Sequence, residues 1–170
     1  TELTQLDANG REQLRVSRLA MDVIGSQTDL SREPQFTEAV ARRVYYGPVT
    51  SRRDSEPYMA LAVAGNRRDA GVSVAEVNLK FIWDVVSQIQ VGRTGYAYVV
   101  DAQGRLIAHP DISRVLRNID LTRLPQVQAA QRAGAAAMSE EDMVARDMDG
   151  RDVIAAAAPI PALGWIVFVE

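Results

Sequence analysis

Two hydrophobic periods divide this chain. From Val72 to Leu79 apolar and polar positions alternate, with Val72, Val74, Glu76 and Asn78 on one face and Ser73, Ala75, Val77 and Leu79 on the other, which predicts an extended strand. Just after it, "KFIWDVVSQIQVG" changes period. Ile82, Val85, Val86 and Ile89 recur at i, i+3, i+4, i+7, which predicts a helix over about 80–90. A second helix is predicted in "SREPQFTEAVARR", with Ser31 as N-cap, Pro34 in its first turn, and Phe36, Val40 and Val44 as its apolar stripe. "DISRVLRNIDLTRLPQVQAAQRAG" reads as short helices broken near Leu124-Pro125 and stopped at Gly134.

Strand-like runs flank short glycine turns. "LTQL" and "LRV" surround "DANG", while "GYAYVV" and "LIAHP" surround "DAQG". Asn9-Gly10 and Gln103-Gly104 suit tight hairpins, where glycine takes positive φ at little cost. A third such turn is Asp149-Gly150. "VYYGPVTSRRDSEPYMALAVAG" reads as a hairpin with a charged tip, and "VIAAAAPI" with "GWIVFVE" as a closing strand pair. Hairpin, helix and antiparallel strands thus occur twice in the same order. The predicted fold class is α+β: two tandem modules, 1–91 and 92–170, each an antiparallel sheet with helices and loops on one face. The helix at about 80–90 links them.

Composition narrows the chemistry. The net charge is -3 and no basic block occurs, so a nucleic-acid partner has no electrostatic support. The absence of cysteine removes thiol catalysis, disulfides and cysteine-rich zinc sites, and suits an oxidising compartment. No run of about 18 apolar residues is present to span a bilayer. Strand-like runs at both ends, "TELTQL" and "GWIVFVE", suggest a segment excised from a longer protein.

"GRTGYAYVVDAQGRLIAHPDIS", Gly92 to Ser113, resembles the start of the membrane-proximal module of double Cache domains, the PAS-like extracytoplasmic sensors of bacterial receptors. "YYGPVTSRRDSEPYMALAVA" with "GVSVAEVNLKFIWDVVSQI" is similar to the end of their membrane-distal module, and "PIPALGWIVFVE" resembles the last strand pair before the membrane. The resemblance implies the periplasmic part of a membrane-anchored receptor that is not itself an enzyme. It implies a small polar solute, a carboxylate among the candidates, bound in the distal module. It also implies an output domain outside this sequence, a histidine kinase first, ahead of a nucleotide cyclase, a diguanylate cyclase or a chemoreceptor. No cofactor or metal is implied. The amino-acid-binding branch carries an Asp on the strand matching "VAEVNL", where Asn78 stands, and an Arg-x-Trp-Tyr pattern that this chain lacks, which argues against an amino-acid ligand. The competing expectation is a structural module that homodimerises or docks a periplasmic partner, its pocket filled by side chains.

Candidate contacts follow from the strand faces. Glu76 and Asn78 are a polar pair on an otherwise apolar face, and Tyr58 with Ala60 leaves room beside a phenol. Tyr46 adds amphipathic surface, and Arg52 at the charged tip is a candidate clamp for a ligand carboxylate. The expected ligand contacts are therefore Tyr46, Arg52, Tyr58, Ala60, Glu76 and Asn78. Asp54 or Glu56 as a hydrolytic acid or base lacks a tuned partner. The lone His109 reads as a strand-end residue fixing the next turn, and Tyr96 and Tyr98 as packing residues. Asp147, Asp149 and Asp152 surround Gly150, but Ala156 stands where a calcium loop needs Glu, so a solvated hairpin is expected.

Overall fold

The computed structural model describes residues 2–18, 20–52, 56–67, 69–117, 119–133 and 143–170, and at Ser51 and Arg52 the backbone alone. The chain forms two compact units, Thr1–Leu79 and Lys80–Glu170.

The first unit is a six-stranded antiparallel sheet with one helix. Its strands are β1 (Glu2–Leu6), β2 (Glu12–Ser17), β3 (Val23–Ile24), β4 (Val44–Arg52), β5 (Glu56–Ala64) and β6 (Val72–Asn78), in spatial order β3-β2-β1-β6-β5-β4. The β4–β5 hairpin and β6 match the strands predicted from alternation. Helix α1 (Pro34–Arg42) covers one end of one face. Its contact is Leu6, Ala39, Ala62, Val72 and Val74, with Leu30, Phe36, Tyr45 and Ala64 around them. Full burial of such a side chain contributes about 1.5–3 kcal/mol.

The start and stripe of α1 differ from expectation. Glu33, not Ser31, is the N-cap, in an extended conformation and without a side-chain cap bond. Pro34 is the reason: it presets the first helical φ and drives the residue before it out of the helical region. Ala39 faces the core while Val40 is exposed, and Val44 already belongs to β4.

In the second unit, helix α2 (Lys80–Ser87) precedes β7 (Gln90–Val91), β8 (Gly95–Val100) and β9 (Leu106–Ala108). Helices α3 (Ile112–Leu116) and α4 (Pro125–Ala133) follow, then β10 (Val144–Arg146), β11 (Asp152–Ile154), β12 (Ala156–Ile160) and β13 (Trp165–Val169). Strand β8 pairs with β13, β7 and β9, and β13 with β12, while β10 and β11 form a separate hairpin. The run "VIAAAAPI" is divided between β11 and β12 at buried Ala155.

By its contacts α2 belongs with the second unit, so the division falls twelve residues before the predicted boundary. Trp83 and Val86 are its buried positions, and the Trp83 indole donates to the Ile107 carbonyl at 2.9 Å. Val85 is exposed, and the helix ends before Ile89. Gly134, the expected stop for α4, lies outside the described residues.

Candidate functional site

In the first unit, α1 leaves the far end of the sheet face uncovered by helix, and four of the six predicted residues, Tyr58, Ala60, Glu76 and Asn78, gather there. Cross-strand register puts Tyr58 opposite Asn78 and Ala60 opposite Glu76, while Glu2 of β1 pairs with Glu76 from the other side. Directly paired residues share a face. Tyr58, Ala60, Glu76 and Asn78 are therefore one patch, continuous with the core face through Ala62 and Val74. Tyr58 is buried, and the other three are half-buried.

A carboxylate organises this patch. Glu56 Oε2 accepts from the Tyr58 hydroxyl at 3.2 Å and from Asn78 Nδ2 at 2.5 Å, and Asn78 Nδ2 also donates to the Tyr58 oxygen at 3.1 Å. By sequence Glu56 belongs to the charged tip of the hairpin. Its place is inward because β5 begins at Glu56, two residues before Tyr58 and hence on the same face. The amide at Asn78 suits this arrangement: it can donate to Glu56, where a second carboxylate would be repelled.

Tyr46 does not join this patch. It pairs with Leu61, which puts it on the opposite face from Tyr58 and Ala60, partly exposed. Its neighbour Tyr45 pairs with Ala62 and joins the core. Alternation along β4 left the choice open, and pairing with β5 decides it. The Arg52 backbone pairs with that of Glu56 at the end of the hairpin. Asp54, the other candidate for a hydrolytic group beside Glu56, lies outside the described residues.

In the second unit His109 holds the turn expected of it, since its Nδ1 accepts the Asp111 N–H at 2.8 Å. The acidic segment forms the β10–β11 hairpin. Asp147 Oδ1 accepts the N–H groups of Asp149 and Arg151 at 2.8 Å each, Asp149 pairs with Arg114, and Asp152 with Arg146. Among the described residues no group of three or more acidic or histidine side chains is placed to hold a metal ion. No helix among them is long and apolar enough to cross a membrane.

Known proteins are similar to this chain in parts of its sequence and in its fold. A stretch of 51 residues is 35% identical to the methyl-accepting chemotaxis protein PscA of Pseudomonas syringae pv. tomato, covering 30% of this chain and 8% of that one. A stretch of 92 residues is 27% identical to the methyl-accepting chemotaxis protein PctB of Pseudomonas aeruginosa, covering 46% and 15%. The matches thus span a small part of either receptor. Among solved structures, the sensory domain of the Campylobacter jejuni chemoreceptor Tlp3 superposes with a TM-score of 0.70 at 12% identity, over 99% of this chain and 66% of that one. The ligand-binding domain of the Pseudomonas aeruginosa amino-acid chemoreceptor PctC, in complex with GABA, gives 0.62 at 17%, over 99% and 72%. That of the Pseudomonas fluorescens chemoreceptor CtaA, in complex with L-serine, gives 0.59 at 18%, over 99% and 70%. These likenesses show the fold, and the family's own sequence profile extends over residues 1–170, so the chain belongs to the Cache domain family, dCache_1.

Proposed function

We propose that this chain is the extracytoplasmic sensing region of a membrane receptor, and that its first unit binds a small solute carrying an amino group. The carrying observation is the Glu56 carboxylate, set between Tyr58 and Asn78 on a half-buried sheet face. An ammonium there makes charge-assisted hydrogen bonds in a partly desolvated setting. Asn78, which the sequence weighed against amino-acid ligands, loses that force because a carboxylate stands beside it on β5. The named neighbours, bound to GABA and L-serine, support the same ligand class. Arg52, whose backbone pairs with that of Glu56, is the proposed partner of the ligand's carboxylate. Ala60 leaves the space that the solute occupies.

In this reading the two units are tandem PAS-like modules, and the second passes the first one's state towards the membrane. A ligand moves that balance only through its differential affinity for two arrangements. Both curated relatives are chemotaxis proteins, which favours a methyl-accepting output over the histidine kinase first expected. The function read here is binding, with no catalytic residue assigned. A structural module devoted to homodimer contacts or partner docking is the less favoured reading.

Calorimetric titration with GABA, L-serine and L-glutamine tests the proposal. Saturable binding of at least one, weakened about tenfold or more by Glu56→Gln, is expected for loss of a charged hydrogen bond. Absence of binding by all three, or binding indifferent to that change, would overturn it.

A further inference from the structure

Where β12 turns into β13, the second unit opens a cavity of about 420 Å³. Pro159, Ile160 and Pro161 line it from one strand and its turn, and Trp165 and Ile166 from the other strand. Cross-strand register sets Ile160 opposite Trp165 and Pro159 opposite Ile166. β12 is the edge of its sheet, where proline, having no N–H for a ladder, is tolerated. The fixed φ of two prolines around Ile160 stiffens that wall. Ala130 of α4 and Ala102, from the turn between β8 and β9, complete the lining with Gln131. Gln131 Nε2 donates to the Ala102 carbonyl at 3.1 Å and so ties helix to turn.

The walls are apolar and carry no charged side chain. An ion entering would lose its water with nothing to replace it. One polar group of this lining stands unused. Trp165 is 5% exposed, and among the described residues its indole N–H has no acceptor, whereas that of Trp83 has the Ile107 carbonyl. The unpartnered polar atoms that water cannot reach in this unit are His109 Nε2 and Gln126 Oε1, and the Trp165 nitrogen is not one of them. It is therefore reached through the small open part of the ring, which borders the cavity. An indole N–H can only donate, so its partner must be an acceptor.

We propose that this cavity is a ligand site of its own, which takes a small uncharged ring compound bearing one carbonyl-type acceptor. The acceptor receives the Trp165 N–H, and the ring lies among the prolines, Ile160 and the indole. The volume falls within the range of about 300–1,000 Å³ usual for small-molecule sites, as do apolar walls with a single placed donor. Stiff walls at Pro159 and Pro161 lose little freedom when the ligand binds. A carboxylate of the same size is refused, because no countercharge lines the cavity.

The chain has two tryptophans and so two indole N–H resonances, which Trp83→Phe assigns. Titration with acetophenone is expected to shift the Trp165 resonance saturably and leave that of Trp83 in place, with benzoate shifting neither. Ala102→Leu, at an exposed turn position, fills the cavity and should weaken binding about tenfold or more. Trp165→Phe keeps a ring and removes the donor. Followed at the Gly164 amide, it should weaken acetophenone about threefold to tenfold more than ethylbenzene, which has the shape without the acceptor. If Trp165→Phe does not fold, the parent decides the same point, since its Trp165 N–H should move downfield with acetophenone and not with ethylbenzene. No saturable shift with acetophenone would overturn the proposal. So would an equal response to benzoate, binding that survives Ala102→Leu undiminished, or a donor-loss effect no larger for acetophenone than for ethylbenzene.

Discussion

Asp7 and Asp101 hold the same turn at two places in the chain. Asp7 Oδ1 accepts the N–H groups of Asn9 and Arg11 at 2.8 and 2.9 Å, and Asp101 Oδ1 those of Gln103 and Arg105 at 2.9 Å each. In each, the glycine three residues on, Gly10 or Gly104, takes positive φ and donates to the aspartate carbonyl. The side chain thus occupies backbone donors that the turn cannot pair within a ladder.

The two turns differ in burial, which gives the first prediction. Asp101 is 4% exposed and also binds the Arg105 guanidinium at 2.8 Å, whereas Asp7 is half-buried. Asp101→Ala strips a buried turn of its acceptor and should cost about 3 kcal/mol, against about 1 kcal/mol for Asp7→Ala. Urea denaturation of both variants checks the order, and equal losses would refute the burial argument.

Trp83 tests the attachment of α2 to the second unit. Its indole N–H is the donor to a buried carbonyl, at Ile107, so Trp83→Phe should destabilise by about 2 kcal/mol through the orphaned acceptor. The remaining tryptophan, Trp165, is buried in the same unit and reports its unfolding by fluorescence. The fluorescence midpoint should fall to lower urea. An unchanged midpoint would mean that α2 contributes nothing to that core.

Sequence reached the strands and hairpins because their signals are local: alternation, a turn glycine, an aspartate before it. It reached Tyr58, Ala60, Glu76 and Asn78 for the same reason, since each pair alternates along a single strand. What it missed depends on pairing across distance. Tyr45 and Tyr46 are adjacent, and only registry with Ala62 and Leu61 says which turns inward. Glu56 looked like surface charge until the start of β5 put it in line with Tyr58. Gln126 and Glu170 meet from 44 residues apart, and nothing local marks either one. The apolar stripe drawn through Ile82, Val85, Val86 and Ile89 overlooked Trp83, because α2 stops at Ser87 and turns its indole towards β9.

The charge state of His109 should depend on its burial and on Arg114. Burial first, then the Arg114 cation, hold its pKa below the ordinary 6.5. The unfolded chain therefore takes up this proton at a pH where the folded one still resists it. The group's contribution to stability is full above about pH 6.5 and is lost as pH falls through the folded value. An NMR titration of this one histidine should give a midpoint below 6.5. Arg114→Gln should raise it, because the variant removes a repelling cation and frees Asp149 to favour the imidazolium. A midpoint at or above 6.5 in the parent would contradict the buried, neutral ring.

The opposite placement of two tyrosines makes the last prediction. Tyr58 is tied to Glu56 and Asn78 on the proposed binding face, while Tyr46 lies on the other face with Leu61. Tyr58→Phe removes the hydroxyl that orients Glu56 and should weaken binding of the amino solute by roughly threefold to tenfold, about the worth of one neutral hydrogen bond. Tyr46→Phe should leave affinity unchanged, because a sheet separates it from that patch. Calorimetry on the two variants, with whichever of GABA, L-serine or L-glutamine binds the parent, compares them directly. Loss of affinity in Tyr46→Phe with none in Tyr58→Phe would move the site to the opposite face of the sheet.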